Sequence, residues 1–221
     1  VEGEFRRFDP NYSRLLFAPT GRPLRQGDGY FSDFYVFFPS IAYGVTSNFT
    51  IMGGFSILPG VSFDEQLKYF APKIGVRASE KFAFSIGALY TDVEDVSAGI
   101  VFAVASFGEQ DNSFTAGIGL GYTREKDNHN GIDGDDGFKF ADHPVIMLGG
   151  NFRLSNSLAL VTENWLITGG DFDLNEQPFT LALRFFGDRI AADVGAIFIG
   201  EVLEEGFPVP WLSFVYNFGK R

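Results

Sequence analysis

The feature that most constrains this chain is an alternation of connection length. Five short polar turns, Thr46-Ser47-Asn48, Ala78-Ser79-Glu80, Glu109-Gln110-Asp111, Ser155-Asn156-Ser157 and Asp188-Arg189, alternate with longer connections near residues 19–29, 59–66, 92–97, 124–143, 169–177 and 200–208. The short turns centre on residues 47, 79, 110, 156 and 188, so the spacings are 32, 31, 46 and 32, and the one long interval contains the loop at 124–143. Two strands plus one short and one medium connection give such a period. A meander with short turns at one end and long loops at the other is what a transmembrane β-barrel requires.

Twelve strands are predicted, at 12–18, 30–45, 49–58, 67–77, 81–91, 98–107, 113–123, 144–154, 157–168, 178–187, 190–199 and 209–219. An even count puts both ends of the wall at the short-turn end, with the first strand closing against the last. The domain reading is an N-terminal extension at 1–11 and one barrel domain at 12–221. Alternation of period two is clearest where Phe82, Phe84, Ile86, Ala88 and Tyr90 oppose Ala83, Ser85, Gly87 and Leu89. It recurs where Phe114, Ala116, Ile118, Leu120 and Tyr122 oppose the small residues of 113–123. Glycine-rich faces make poor solvent faces. The large face therefore meets lipid and the small face lines the lumen. On this reading Phe82, Phe84, Phe114, Ile118, Leu181, Leu183, Phe214 and Tyr216 point outward, and Tyr43, Tyr90, Tyr122, Trp165 and Tyr216 suit the interfacial girdles. The 30–45 segment is apolar on both faces, and its facing stays unassigned.

Composition narrows the class. No run of 18 apolar residues is present, so a membrane reading requires a closed barrel, the other structure that satisfies every backbone group in lipid. The formal net charge of −11 argues against a nucleic-acid partner. Cysteine is absent, which excludes a disulfide framework and thiolate-bound zinc.

A few charges fall on the inward face. If Asp188-Arg189 is a two-residue hairpin loop, Arg184 lies opposite Asp193, and register fixes facing. Glu163 is placed on the neighbouring strand, close enough to share the guanidinium. Lys73, Arg153 and Arg14 are further inward candidates. One reading is a structural ion network across a narrow lumen, because Arg or Lys on the lipid face near mid-membrane costs roughly 2–4 kcal/mol. The other is a constriction that selects small charged solutes.

Asp127, Asp133, Asp135 and Asp136 form a candidate loop site for calcium. Gly137 stands at the third ligand position of an EF-hand start, and the terminal Glu is missing, so a solvated acidic loop is the competing reading. His129 and His143 lie in or beside the same loop without a nucleophile–base spacing, and no cofactor fingerprint is present. The Gly117-Ile118-Gly119-Leu120-Gly121 run sits in a strand.

The stretch from Ser13 through Leu24, the run Gly29 to Pro39, the pieces Tyr43-Gly44-Val45-Thr46 and Asn48-Phe49-Thr50, and the later Leu160 to Trp165 and Arg184-Phe185-Phe186-Gly187 resemble uncharacterised outer-membrane β-barrel proteins of Bacteroidota and related diderm bacteria. The closing segment resembles the C-terminal signal read by the barrel-insertion machinery, although Gly219, Lys220 and Arg221 follow Phe218 here. The resemblance implies the bacterial outer membrane, with its lipids and the insertion machinery as partners, and transfers no activity. The expected role is a binding or structural subunit of an outer-membrane assembly, its lumen narrow or blocked by side chains or by its own N-terminus. The alternatives are a narrow channel for small solutes, a conduit for an apolar ligand and, more distantly, an outer-membrane hydrolase. No enzymatic activity or cofactor is expected.

Overall fold

The computed structural model describes residues 7–93, 96–125, 138–170, 172–200, 202 and 206–219. The wall strands run in chain order as β1 (Gly29–Phe34), β2 (Phe38–Gly44), β3 (Phe49–Phe55), β4 (Lys68–Arg77), β5 (Phe82–Val93), β6 (Val96–Glu109) and β7 (Asn112–Glu125). They continue as β8 (Lys139–Phe140), β9 (Val145–Arg153), β10 (Leu158–Ile167), β11 (Phe179–Phe186), β12 (Ile190–Phe198) and β13 (Val209–Phe218). All pairings are antiparallel. The two-residue β8 and then β9 lie along the same neighbour, β7, as one interrupted strand. Twelve wall positions result, and the ring closes where Gly29 meets Phe218 and Phe34 meets Ser213.

The short-turn rhythm holds at every expected turn, and β1 begins and β13 ends at that same end of the barrel. The strand count holds as well, through two departures that offset each other. The 30–45 segment is two strands folded on themselves at Tyr35-Val36-Phe37, with Phe34 opposite Phe38. That explains its two apolar faces. The stretch 12–18 is no wall strand; it lies inside the barrel, and the strand that closes on the last one is 29–34. Residues 19–29 are accordingly the exit of this inserted segment. The connection expected at 92–97 is shorter than expected, because β5 and β6 stay paired up to Val93 and Val96.

The outer face is apolar. Phe84, Phe114, Ile118, Leu181, Leu183, Phe214 and Tyr216 are each 38–52 % exposed. Phe82 is half-buried against Phe107, ring centroids 5.0 Å apart. Large apolar side chains on a closed wall are the surface that hydrocarbon covers, and the chain is a transmembrane barrel. Two girdle assignments change. Trp165 points inward. Tyr122 is buried beneath Phe138 and Phe140.

The core is the lumen itself. Its apolar part joins Leu15, Leu16 and Ala18 of the inserted segment to Phe34, Val104, Met147, Val161, Ala182 and Trp211 of the wall. A second cluster holds Leu24 against Tyr30, Ala42, Ala159, Phe186, Ala191 and Val215.

Candidate functional site

The inserted segment is a hairpin. Thr20 donates its backbone N–H to Ser13, Leu15 donates to Ala18, and Arg14 faces Pro19. The hairpin goes in past the short turn between β6 and β7, where the Asp9 N–H reaches Asp111 Oδ1 at 3.1 Å and Gln110 Nε2 reaches the Asp9 carbonyl at 3.0 Å. It returns to the same mouth, where the Gly27 N–H meets the Gly44 carbonyl at 2.9 Å. Both limbs therefore pass through one end of the barrel. Its tip is the turn at 15–18.

Glycine allows the hairpin to approach the wall closely at two positions. A Cβ at Gly21 would stand 2.3 Å from the Ala83 carbonyl oxygen. That closeness seats the return limb flush on β5 and β6, where the Gly21 N–H donates to Ser106 Oγ and its carbonyl accepts from Ser85 Oγ. At Gly149 of β9 a Cβ would stand 2.5 Å from Leu15 Cδ1, so glycine there makes room for the tip.

Arg184 and Asp193 are cross-strand partners, as the two-residue turn requires. Both are fully buried. Arg184 Nε lies 2.6 Å from Asp193 Oδ1 and Nη2 lies 3.1 Å from Oδ2, a bidentate fork. Ser213 Oγ donates to Asp193 Oδ2 at 2.8 Å. The second carboxylate on the guanidinium is not Glu163. It is Asp9 of the hairpin, whose Oδ2 takes Arg184 Nη1 at 3.0 Å and Asn151 Nδ2 at 3.1 Å. Arg184 Nη2 also donates to the Leu15 carbonyl. Arg184 thus joins wall to hairpin.

Glu163 has a different partner set. Its Oε2 accepts the successive backbone N–H groups of Leu16, Phe17 and Ala18 at 3.0, 3.0 and 2.9 Å, and its Oε1 accepts Trp165 Nε1 at 3.0 Å. Three adjacent N–H groups converging on one anion form a backbone nest. Here the wall supplies the anion and the hairpin tip supplies the nest. Lys73 mirrors this on β4, five places around the ring of twelve. Its Nζ donates to the carbonyls of Ser13, Thr20 and Arg22 at 3.0, 3.1 and 3.0 Å. Hairpin backbone therefore satisfies two wall charges of opposite sign.

The remaining inward candidates separate. Arg153 lies at the mouth, 2.7 Å from Asp111 Oδ2, donates to the Arg7 carbonyl and stacks over Phe186. Arg14 is buried, but it stands on the hairpin rather than on the wall. Its Nη1 donates to the Leu16 carbonyl at 3.0 Å, and its guanidinium lies over Tyr30 and Phe34. The acidic candidates Asp127, Asp133, Asp135 and Asp136 lie outside the described residues. Among the described residues no group of three or more His, Asp or Glu is placed to hold a metal ion. Asp9 is the functional residue that the sequence reading missed. The signal available for it was Asp9-Pro10-Asn11, a turn-forming acid just ahead of the Leu15-Leu16-Phe17 run.

No protein-family model and no curated protein matches the chain. Solved structures do. A "KdgM porin in complex with disordered oligogalacturonate" aligns over 88 % of this chain and 99 % of its own, with a TM-score of 0.56 and 7 % identity. A "KdgM porin" aligns over the same shares with a TM-score of 0.51 and 8 % identity. At this identity the likeness is one of fold. The chain is a closed antiparallel twelve-stranded barrel and shares its fold with these porins.

Proposed function

We propose that this chain is a channel of the bacterial outer membrane for small solutes, held closed by its own N-terminal hairpin. One observation carries the reading: both limbs of the hairpin pass through the same mouth, so it can withdraw without threading the barrel. The contacts it would release are the apolar packing of Leu15, Leu16, Ala18 and Leu24 and a set of polar contacts. The polar contacts include the Arg184–Asp9 ion pair, the bonds of Glu163 and Lys73 to hairpin backbone, and the bonds of the Ser85 and Ser106 hydroxyls to Gly21 backbone. Water can replace these polar partners when the hairpin leaves. The inner wall left behind carries Ser85, Ser106, Thr115, Ser213, Lys73 and Glu163, which suit water and small polar solutes, beside apolar Phe34, Val104, Met147 and Trp211.

The porin-type fold supports a channel over the role of a binding or structural subunit. The sequence likeness to uncharacterised barrel proteins of Bacteroidota and related diderms supports the same compartment. Outer-membrane lipids and the barrel-insertion machinery are the partners this reading implies.

Planar-bilayer recording tests it, with folding checked by heat-modifiable gel mobility. The full chain should be closed with brief openings, and a chain lacking residues 1–24 should conduct steadily. A folded, truncated barrel that stays closed refutes the channel. A full chain that conducts steadily refutes the closure.

A further inference from the structure

The wall is uneven in height. β6 and β7 have 14 residues each, whereas β2 and β3 have 7 each. At about 3.3 Å per residue and a tilt near ~40°, such short strands cover roughly 18 Å of an apolar band about 25 Å tall. The residues beyond the ends of β2 and β3 must make up the difference. At the short-turn end these are polar, Thr46, Ser47 and Asn48. At the other end they are apolar. The connection from β3 to β4 carries Ile57, Leu58, Val61 and Phe63, with no charged residue among positions 57–63. All four are exposed, Phe63 by 65 %.

This connection folds over the outside of the barrel. Phe55 and Lys68 are opposite neighbours, and Lys68 points outward because the next residue, Tyr69, is buried inward. Phe63 packs on both. Its ring centroid lies 5.9 Å from that of Phe55, and Lys68 Nζ stands 5.2 Å from it. Phe63 is therefore continuous with the lipid-facing wall and does not cap the lumen. The backbone here is prepared for a place poor in water. Leu58-Pro59-Gly60-Val61 is a tight turn, with Gly60 at φ 80° and the Val61 N–H on the Leu58 carbonyl at 3.3 Å. Buried Gln66 braces it: Oε1 accepts the Leu58 N–H at 2.9 Å and Ser56 Oγ at 2.6 Å, and Nε2 donates to the Leu58 and Val61 carbonyls, both at 3.0 Å. Backbone groups near hydrocarbon need such internal partners, whereas a loop in water does not. We propose that residues 57–63 are a membrane anchor: the side chains of Ile57, Leu58, Val61 and Phe63 enter the acyl chains of the leaflet at the long-loop end, while their backbone rests at the headgroup boundary. Exposed Asp64 and Glu65 follow directly and keep the entry shallow. The anchor extends the lipid-facing band where the strands are shortest, and it does not depend on whether the barrel conducts.

The chain has no cysteine, so a single introduced one can carry an environment-sensitive label. Phe63→Cys, labelled with nitrobenzoxadiazole and refolded into phosphatidylcholine vesicles, should emit in the blue. Phosphatidylcholine brominated high on the acyl chain should quench it at least about half as strongly as a label at Ile118→Cys on the outer wall. A label at Glu65→Cys should emit as in water and escape quenching. Emission from position 63 that matches position 65 puts the loop in water and overturns the anchor. Blue emission that brominated lipid does not quench means that protein, such as a second copy of this chain, covers the loop, and overturns it equally. If Phe63→Cys does not refold, Leu58→Cys decides by the same outcomes.

Discussion

Replacing Arg184 by alanine removes a cation held by two carboxylates in a space closed to solvent. Three contacts to charged oxygens disappear, at 2.6 and 3.1 Å to Asp193 and 3.0 Å to Asp9, together with the bond to the Leu15 carbonyl. Asp193 keeps Ser213, and Asp9 keeps Asn151 and the Asn11 N–H, so neither carboxylate is stripped bare. Both nevertheless lose their counter-charge while buried. Breaking a buried pair from one side costs about 3–5 kcal/mol. The loss should divide between wall and hairpin, because Arg184 and Asp193 sit on adjacent strands while Asp9 does not. Urea unfolding of the refolded protein in lipid vesicles should therefore show a loss of that order in R184A. Bilayer recordings should show more frequent opening. Asp9→Asn keeps the wall pair and should shift mainly the opening. An exposed pair sets the scale: Lys81–Glu109, at 4.0 Å, should contribute no more than about 1 kcal/mol. An R184A loss as small as that, with conductance unchanged, would falsify the claim that this cluster holds the hairpin.

Gly21→Ala places a methyl group against the Ala83 carbonyl, backbone on backbone, so the return limb cannot seat; protease should cut the N-terminal segment faster while the barrel band on gels persists. Glu163→Gln keeps an acceptor oxygen but removes the charge from the nest at 16–18, which should cost up to about 1.5–3 kcal/mol of hairpin seating and raise open probability, with barrel unfolding less affected. Ile118→Lys puts a cation on the lipid face midway along β7 and should lower stability in vesicles by about 2–4 kcal/mol; an unchanged unfolding curve would count against a lipid-facing wall at that position.

The wall was legible because two periodicities agree along most strands: side chains alternate with period two, and turn residues punctuate them. The first hairpin was hidden because its turn uses none of the usual residues. Tyr35 and Val36 occupy positive φ, 54° and 70°, where glycine, asparagine or aspartate is the ordinary choice and a β-branched residue is rare. A continuous apolar run with no turn signal reads as one strand. The inserted hairpin was misread for a related reason. Its limbs are extended and paired like a wall strand, and only the three-dimensional closure of the ring shows which extended segment is left over. The Arg184–Asp193 pair was readable from register because local hydrogen bonding fixes register. The Asp9 contact was not, because it spans 175 residues and no local pattern encodes so long a separation.

The hairpin precedes every wall strand in the chain, yet its partners are spread around the whole ring. Asp9 waits for Arg184, and Asn11 reaches Asn217, 206 residues away. None of these long contacts can form until the late strands exist, and contacts of such separation form slowly. Assembly therefore has an order built into it: the hairpin, made first, can seat only after the late strands stand, and because both of its limbs use one mouth it can enter a ring that is already closed. Until then Arg184, Glu163 and Lys73 lack their hairpin partners and remain available to water. The last step of folding is thus the drying of the lumen as the hairpin seats.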